Sequence, residues 1–167
     1  MSTDIQKRRI IVYPIVAGPD YRGNADDDQV PFDAVPLTAE YLRARGASPL
    51  RSGETWEIRL ALKYTDEDGA LAAVSLATAS NIVLHVWHQS TGAWVGSRTQ
   101  DAVIADSGGL VELEVDTPST AGTITIIWHQ DETLTSGVHS FAILADWTYT
   151  EAVAAGTIEI LDARPTS

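Results

Sequence analysis

The sequence predicts an all-β fold: a single antiparallel β-sandwich, immunoglobulin-like or jelly-roll-like, with an extended N-terminal arm. From Trp56 to Tyr64, apolar residues occupy every second position, which is the period of a strand with one buried and one solvated face. Turn signals such as Asp66-Glu67-Asp68-Gly69 recur at the spacing typical of sandwiches and barrels. No segment between these strands is long enough for a helical crossover, so the sheets are expected to be antiparallel.

The chain is expected to divide into residues 1–49, which form an N-terminal strand, an extended arm and a short helix, and a β-sandwich domain at residues 50–167. Residues 8–16 are rich in β-formers but include Pro14, whose nitrogen cannot donate to a strand ladder. This run is therefore an edge strand or a strand broken at Pro14. Residues 17–36 are punctuated by glycine and proline, and a loop of ~20 residues in a compact domain is uncommon unless it has a function.

A short helix is predicted from Thr38 to Arg45. Thr38 is a suitable N-cap residue, because its hydroxyl can accept from a free backbone N–H of the first turn. Glu40 in the first turn and Arg43 in the last turn complement the helix dipole. Gly46 then provides a natural C-terminal stop.

After the helix, alternation of apolar and polar residues predicts a succession of strands. Their expected positions are residues 54–64, 81–89, 93–99, 110–115, 123–129, 138–149 and 157–161. In each strand, the residues in the apolar phase are expected to face the core. The predicted core comprises Trp56, Ile58, Leu60, Leu62, Ile82, Leu84, Val86, Ile124, Ile126, Phe141, Ile143, Ile158 and Ile160.

Composition excludes several classes of function. The 167 residues suffice for one domain with its own core. The chain carries 23 acidic and 11 basic residues, a formal net charge of -12, so nucleic acid and anionic membranes are not expected partners. Cysteine is absent from the sequence, which excludes disulfides and a cysteine nucleophile. Met1–Arg9 lacks the apolar segment of a secretory signal, and no run approaches the ~18 apolar residues of a membrane span.

The four histidines do not match a metal-binding pattern. His85 and His88 are three residues apart on one predicted strand and so point to opposite faces, whereas a two-histidine clip on a strand needs a spacing of two. His129 and His139 lie on other predicted strands, and an approach of His129 to His88 is left open. Histidines on the surface of the sandwich are the favoured interpretation.

The acidic run Asp26–Asp28, with Asp20 and Asn24 nearby, offers the hard oxygen ligands that Ca²⁺ prefers. Its spacing does not match the EF-hand loop, so carboxylates that face solvent or a partner are favoured over a calcium site. The acidic residues of Asp66-Glu67-Asp68-Gly69 are interpreted as part of a hairpin turn, because Asp-Gly supplies the backbone geometry of such turns. We therefore expect no metal and no cofactor.

No catalytic arrangement is evident, and no catalytic residue is assigned. A glycosidase needs two carboxylates roughly 5 to 10 Å apart across a cleft. The acids on predicted strands are Glu57, Glu112, Glu114, Glu159 and Asp146, but in a chain with 23 acids they carry little weight. A Gly-x-Ser-x-Gly elbow and a phosphate-binding glycine loop are both missing from the sequence. The chain is therefore not expected to be an enzyme.

Two of the five tryptophans are candidates for binding. Trp56, Trp128 and Trp147 fall in phase with apolar neighbours and are expected in the core. Trp87 lies on the face of its strand opposite to Leu84 and Val86, and Trp94 follows a turn. Because tryptophan can stack on sugars and also anchors protein contacts, Trp87 and Trp94 are the candidate contacts to a glycan or to a partner protein.

A set of strand and turn motifs runs along residues 49–162. The motifs are Gly53-Glu54-Thr55-Trp56, Ile58-Arg59-Leu60, Asp66-Glu67-Asp68-Gly69, Ser107-Gly108-Gly109, Leu110-Val111-Glu112-Leu113 and Gly156-Thr157-Ile158-Glu159-Ile160. Together they resemble a module of tailed-phage virion proteins, the N-terminal β-sandwich of baseplate upper proteins, which anchors receptor-binding fibres to a phage tail. The resemblance implies virion assembly, trimeric association and no catalysis. A full adaptor would also have a long coiled segment and a distal domain, which residues 1–167 are not expected to contain, and this departure raises the alternative of a capsid decoration or cement protein.

The function expected from the sequence is therefore structural. The chain is predicted to be a tailed-phage virion protein, made in the host cytoplasm, that docks onto other virion proteins as a homotrimer in a baseplate or tail-fibre adaptor. The residues expected to dock are apolar ones of the arm, namely Ile10, Ile11, Val12, Tyr13, Ile15, Tyr21 and Phe32. The alternative of another class is a module that binds host glycans through Trp87 and Trp94.

Overall fold

The computed structural model describes residues 9–10, 14–18, 29–88, 94–99, 104–106, 109–128 and 136–162. These residues form strands β1 Arg9–Ile10, β2 Ile15–Ala17, β3 Gln29–Pro31, β4 Val35–Leu37, β5 Leu50–Arg51, β6 Trp56–Thr65, β7 Leu71–Ala73, β8 Asn81–His88, β9 Trp94–Thr99, β10 Ile104–Asp106, β11 Gly109–Val115, β12 Thr123–Trp128, β13 Gly137–Asp146 and β14 Thr150–Leu161. A helix, α1 Ala39–Ala44, and short 3₁₀ turns at Phe32–Ala34 and Ser119–Ala121 complete the described elements. The all-β prediction is confirmed.

The described strands form two sheets. The first sheet has the order β10-β11-β12-β6-β2-β3, and β1 and β7 also pair with β6. The second has the order β4-β14-β13-β8-β9, and β5 also pairs with β14. The side chains that point inward from both sheets belong to one continuous hydrophobic core. Each sheet therefore has one face on this core and one face turned away from it.

The prediction of antiparallel sheets is wrong for the N-terminal strands. From β6 onward, the paired strands are antiparallel. In contrast, β1 and β2 run parallel to β6, β3 runs parallel to β2, and β4 and β5 run parallel to β14. Parallel neighbours need a long connection. Each parallel pair has such a connection: most of the N-terminal segment (residues 1–49) separates β1 and β2 from β6, and residues 18–28 separate β2 from β3. Strands β4 and β5 are joined to β14 through the body of the chain, from β6 to β13.

The strand predicted at residues 8–16 corresponds to two strands, β1 and β2; Pro14 lies outside both, and residues 11–13 lie outside the described part of the chain. Ile10 pairs with Glu57 and Ile15 pairs with Ala61, so the N-terminal segment advances five positions where β6 advances four. The carbonyl of Pro14 accepts a hydrogen bond from the N–H of Ala61 at 3.2 Å, which keeps the segment against β6. Because β3 covers the other side of β2, this strand is not at the edge of the sheet.

Every residue predicted for the core is buried. The N-terminal segment adds fully buried residues that the sequence did not single out: Val16 in β2, Val35 and Leu37 in β4, and Leu42 in α1. Residues 1–49 and 50–167 thus contribute to the same core. A truncated chain that starts after β4 would lose part of its own interior, so the N-terminal segment is expected to be needed for folding.

The predicted helix is confirmed with its caps. The hydroxyl of Thr38 accepts a hydrogen bond from the N–H of Tyr41 at 3.2 Å. At the other end, Gly46 has a φ of +77°, a conformation that glycine adopts without a steric penalty. Leu42 anchors the helix in the core. The helix therefore joins β4 to β5 and sets the path of the chain along the edge of the second sheet.

The first prediction tests whether the N-terminal segment is part of the core. Leu37→Ala in β4 should lower the free energy of unfolding by about 2 to 5 kcal/mol, because it opens a cavity at a site that is 1% exposed. Leu71→Ala is the matched control, since Leu71 is only half-buried in β7. Urea unfolding followed by circular dichroism measures both. Equal effects of the two substitutions would contradict the shared core.

Candidate functional site

A row of residues crosses the second sheet on the face turned away from the core. Trp94 pairs with Trp87, Trp87 with Ser140, Ser140 with Thr157, and Thr157 with Pro36. Directly paired residues share one face of a sheet. The adjacent positions Val86, Phe141 and Ile158 are buried in the core, so Trp87, Ser140 and Thr157 face outward. Trp94 is placed here by its register position alone.

Three residues of this row, Trp87, Ser140 and Thr157, line a groove of about 330 Å³. Its lining residues are Asp33, Ala34, Trp87, Ser140, Phe141, Ala155, Gly156 and Thr157. Trp87, Ser140 and Thr157 are half-buried, whereas Asp33 and Ala34 are exposed at the rim. Asp33 is the single charged residue of this lining. The groove thus combines one aromatic side chain with one carboxylate and two hydroxyls.

The polar groups of the groove are available to a ligand. Within the described ranges, the side chains of Asp33, Ser140 and Thr157 make no hydrogen bond or ion pair. A carboxylate only accepts hydrogen bonds, whereas a hydroxyl both donates and accepts. This set can therefore satisfy a ligand that carries both donors and acceptors.

Gly156 allows the wall of the groove to come close. β4 pairs with β14 so tightly here that a Cβ on Gly156 would overlap the carbonyl of Val35 and lie 2.8 Å from the Val35 Cβ. The missing side chain lets β4 approach, and β4 follows directly on the 3₁₀ turn that carries Asp33. Gly156 therefore positions Asp33 beside Ser140 and Thr157.

A second groove, of about 460 Å³, lies on the outer face of the first sheet. Its lining residues are Glu57, Arg59, Glu114, Val115, Asp116, Thr117, Thr125 and Ile127. The Arg59 guanidinium donates to the Oε1 of Glu57 at 3.3 and 3.4 Å. Thr125 donates its hydroxyl proton to Asp116 Oδ1 at 2.7 Å. Two of the acids of this groove thus already have partners within the chain.

The prediction of a solvated outer face on β6 is wrong for Glu57 and Ala61. These residues are 3% and 6% exposed, although they alternate with the core residues of β6. The reason is that β6 is an inner strand, with β12 on one side and β1 and β2 on the other. Neighbouring strands shield outward side chains of an inner strand, and the buried Ile127 lies directly opposite Glu57.

Of the five acids weighed as glycosidase carboxylates, two share a groove, and two others bind groups of their own chain elsewhere. Glu57 and Glu114 line the second groove. Glu159, on the second sheet, accepts a hydrogen bond from the N–H of Ala39 at 2.7 Å and so holds the start of α1. Asp146 accepts from the hydroxyl of Thr150 at 2.6 Å in the turn between β13 and β14. The side chain of Glu112 lies outside the described part of the chain.

The histidines have different environments. His85 is half-buried on the outer face of β8, as a sandwich-surface histidine should be. His139 is fully buried in phase with Phe141 and Ile143, so its prediction as a surface residue is wrong. The alternation of β13 already places His139 in the inward phase of Phe141 and Ile143, and the prediction did not apply it to this residue. His88 pairs with His139 in register, and His129 lies outside the described residues.

Two acidic runs were considered as metal ligands in the sequence, Asp26–Asp28 and the Asp66-Glu67-Asp68-Gly69 turn. The run Asp26–Asp28 lies outside the described residues, as do Asp20 and Asn24. The hairpin turn after β6 is confirmed: Asp66 Oδ1 accepts from the N–H groups of Asp68 and Ala70 at 2.9 Å, and Gly69 has a φ of +81°. Across the described ranges, no three His, Asp or Glu side chains are grouped so that they could hold a metal ion.

The described residues of the predicted docking arm pair with the chain's own sheets. Ile10 lies in β1 beside β6, Ile15 is half-buried in β2, and Phe32 is half-buried against the core. The remaining arm residues of this set, Ile11, Val12, Tyr13 and Tyr21, lie outside the described part of the chain. No helix within that part is long and apolar enough to cross a membrane.

The tryptophans behave largely as their phases predict. Trp56 and Trp128 are buried and stacked, with ring centroids 5.2 Å apart, and Trp147 packs against the core. Trp87 lines the first groove, in line with its outward phase. Sequence reasoning missed Asp33, Ser140 and Thr157 as its companions. The outward phase of Ser140 and Thr157 was visible in the strand pattern, but nothing marked Asp33, which reaches the groove only through the β4–β14 pairing.

Comparisons with protein-family models, with curated proteins and with solved structures give no match. The basis for assigning a role is therefore the geometry of the two grooves and of the strand pairing.

The second prediction concerns the close approach at Gly156. Gly156→Ala should destabilise the fold by about 1 to 3 kcal/mol, because the added Cβ overlaps the Val35 carbonyl and must displace β4. Ala155→Ser is the control, since Ala155 is a half-buried neighbour that faces the groove. Thermal and urea unfolding measure the change. A variant as stable as the wild type would show that β4 does not need this approach.

The third prediction concerns the ion pair of the second groove. Arg59→Ala should lower the free energy of unfolding by about 1 to 2 kcal/mol, because it leaves the carboxylate of Glu57 buried without its cation. Glu57→Gln should cost less in the Arg59→Ala background than in the wild type. The double-mutant cycle measures this coupling, and Lys63→Ala serves as a control for loss of a cation from β6. Strictly additive effects would count against the pair.

Proposed function

We propose that this chain is a structural, non-catalytic protein of a tailed-phage virion, which docks onto a larger assembly as part of a baseplate or tail-fibre adaptor. The supporting sequence feature is the set of strand and turn motifs between residues 49 and 162. The supporting structural feature is an N-terminal segment that adds strands to both sheets and shares their core. In this proposal the two sheets form a sandwich of the jelly-roll-like or immunoglobulin-like kind.

Strand addition is the observation that carries the proposal. β1 and β2 run parallel to β6 and are joined to it only through the long stretch from Ala17 to Trp56. Because the connection is long, β1 and β2 can form the same backbone hydrogen bonds with β6 of their own chain or with β6 of a second copy. Exchange of identical strands between copies is a low-cost route to oligomers.

The strand edges limit other modes of association. The edge strands of the first sheet, β3 and β10, have three residues each. Short edge strands discourage edge-to-edge pairing between sheets. In addition, a net charge of -12 per chain opposes close packing of copies through polar faces. Association through the apolar N-terminal segment avoids both obstacles, and the homotrimer is the state that we propose.

The fourth prediction tests strand exchange by disulfide formation. Because the sequence contains no native cysteine, only the introduced cysteines can form disulfides. In an Ile15→Cys/Ala61→Cys variant, the two positions are register partners on adjacent strands, so their Cα separation suits a disulfide. We expect light scattering to give a trimer and non-reducing electrophoresis to show covalent oligomers. Ser140→Cys/Thr157→Cys is the matched control, because these partners belong to one β13–β14 hairpin and should bridge within a chain.

A clean monomer with only intrachain disulfides would refute both the trimer and the exchange. The virion role has a separate measurement: mass spectrometry of purified phage particles from the source culture should detect this chain. The number of copies per particle then separates the adaptor from the capsid decoration alternative, since a decoration protein is present in numbers comparable to the capsid subunits. Absence from purified particles would overturn the virion proposal.

A further inference from the structure

We propose that the groove beside Trp87 binds a neutral saccharide. This inference does not depend on the virion role, because it is carried by the outer face of the second sheet alone. Its ligand is a pyranose ring or short oligosaccharide that lies against Trp87 and hydrogen-bonds to Asp33, Ser140 and Thr157.

Trp87 provides a fixed aromatic surface. It lies on β8, an inner strand between β13 and β9, and it is half-buried rather than free to rotate in solvent. Sugars have one apolar face of C–H groups, and the large apolar ring of tryptophan matches such a face. Its register partner on β9 is Trp94, so the two tryptophans that the sequence marked for binding occupy paired positions.

The polar groups complete a set suited to a polyol. The hydroxyls of Ser140 and Thr157 sit in register on neighbouring strands, and the carboxylate of Asp33 lies at the rim. A sugar hydroxyl donates one hydrogen bond and accepts others, so it can donate to Asp33 and exchange bonds with the two hydroxyls. At about 330 Å³, the groove is near the lower bound of ligand sites, roughly 300 to 1,000 Å³, which fits one or two rings.

Charge selects against acidic sugars. Asp33 is the one charged residue among the described residues that line the groove, and the chain carries a net charge of -12. A uronic or sialic acid would bring a second carboxylate into this negative potential and be repelled. The second groove is a poorer site for any sugar, because Glu57 is engaged by Arg59 and Asp116 by Thr125.

The test uses the full chain and calorimetric or saturation-transfer NMR titration with cellobiose, maltose, lactose and N,N′-diacetylchitobiose. Sialyllactose is the anionic probe, and choline is the cationic probe for which an aromatic ring and a carboxylate would also be suitable. We expect a Kd in the millimolar range or tighter for at least one neutral saccharide. We expect weaker or no binding of sialyllactose and choline.

Substitutions then locate the binding. Trp87→Ala should weaken it by about tenfold or more, equivalent to about 1.4 kcal/mol, and Trp87→Phe should retain part of it. Asp33→Asn keeps an exposed side chain of the same size, so it tests the site even if Trp87→Ala is destabilised. Tyr149→Ala is the matched control, because Tyr149 is an aromatic residue that is 76% exposed and outside the groove.

Three results would overturn the proposal. The first is no measurable binding of any neutral saccharide at tens of millimolar, well above the range expected of a genuine site. The second is binding that survives both Trp87→Ala and Asp33→Asn unchanged. The third is preference for choline over every neutral saccharide, which would assign the groove to a cation instead.

Discussion

The parallel pairing of the N-terminal segment with β6 and β14 is the constraint on which the rest of the structure depends. It places Val16 and Val35 in the core and turns β6 and β14 from edge strands into inner strands. An inner strand has both of its backbone edges satisfied, and its outward side chains are shielded by two neighbours. This is why Glu57 is buried on a face that its sequence pattern marks as solvated.

The same pairing constructs the candidate binding groove. β4 lies so close to β14 that only glycine fits at position 156, and the 3₁₀ turn before β4 then brings Asp33 to the outer face of the second sheet. Asp33 is more than a hundred positions away from Ser140 and Thr157 in sequence. A displaced β4 would therefore weaken the fold and the groove together, which links the stability of the N-terminal segment to any ligand affinity.

Charge is distributed according to the same division between inner and outer positions. The negative charge of the buried Glu57 carboxylate is compensated by the guanidinium of Arg59. The Arg59 side chain is 45% exposed, so the ion pair lies where the sheet meets solvent. Glu159 uses its carboxylate to bind the N–H of Ala39 at the start of α1, where a negative charge also complements the helix dipole. These acids have structural partners, and that distinguishes them from Asp33, whose carboxylate is unengaged within the described residues.

The sequence by itself determined the main strands from β6 onward, the helix, and the core residues that those strands contribute. Period-two alternation located β6, β8, β12 and β13 and assigned their inward residues, because the side-chain phase of a strand is a local property. Local hydrogen bonding likewise specified the helix cap at Thr38 and the turn at Asp66. Both are interactions within a few residues, so the residue types at those positions are enough to predict them.

Only the tertiary structure decided the strand pairing and the groove. Whether a strand is at the edge or inside a sheet depends on which distant segment pairs with it, and no local pattern records that choice. The sequence therefore did not predict that the five strands from β1 through β5 pair in parallel. It also did not predict that Glu57 and His139 are buried, or that Asp33 lines the same groove as Trp87. Trp87 itself was predictable, because its phase opposes that of its apolar neighbours. Its groove partners depend on strand pairing: β8 pairs with β13, which places Ser140 beside Trp87 although they are more than fifty positions apart, and β13 pairs with β14, which adds Thr157.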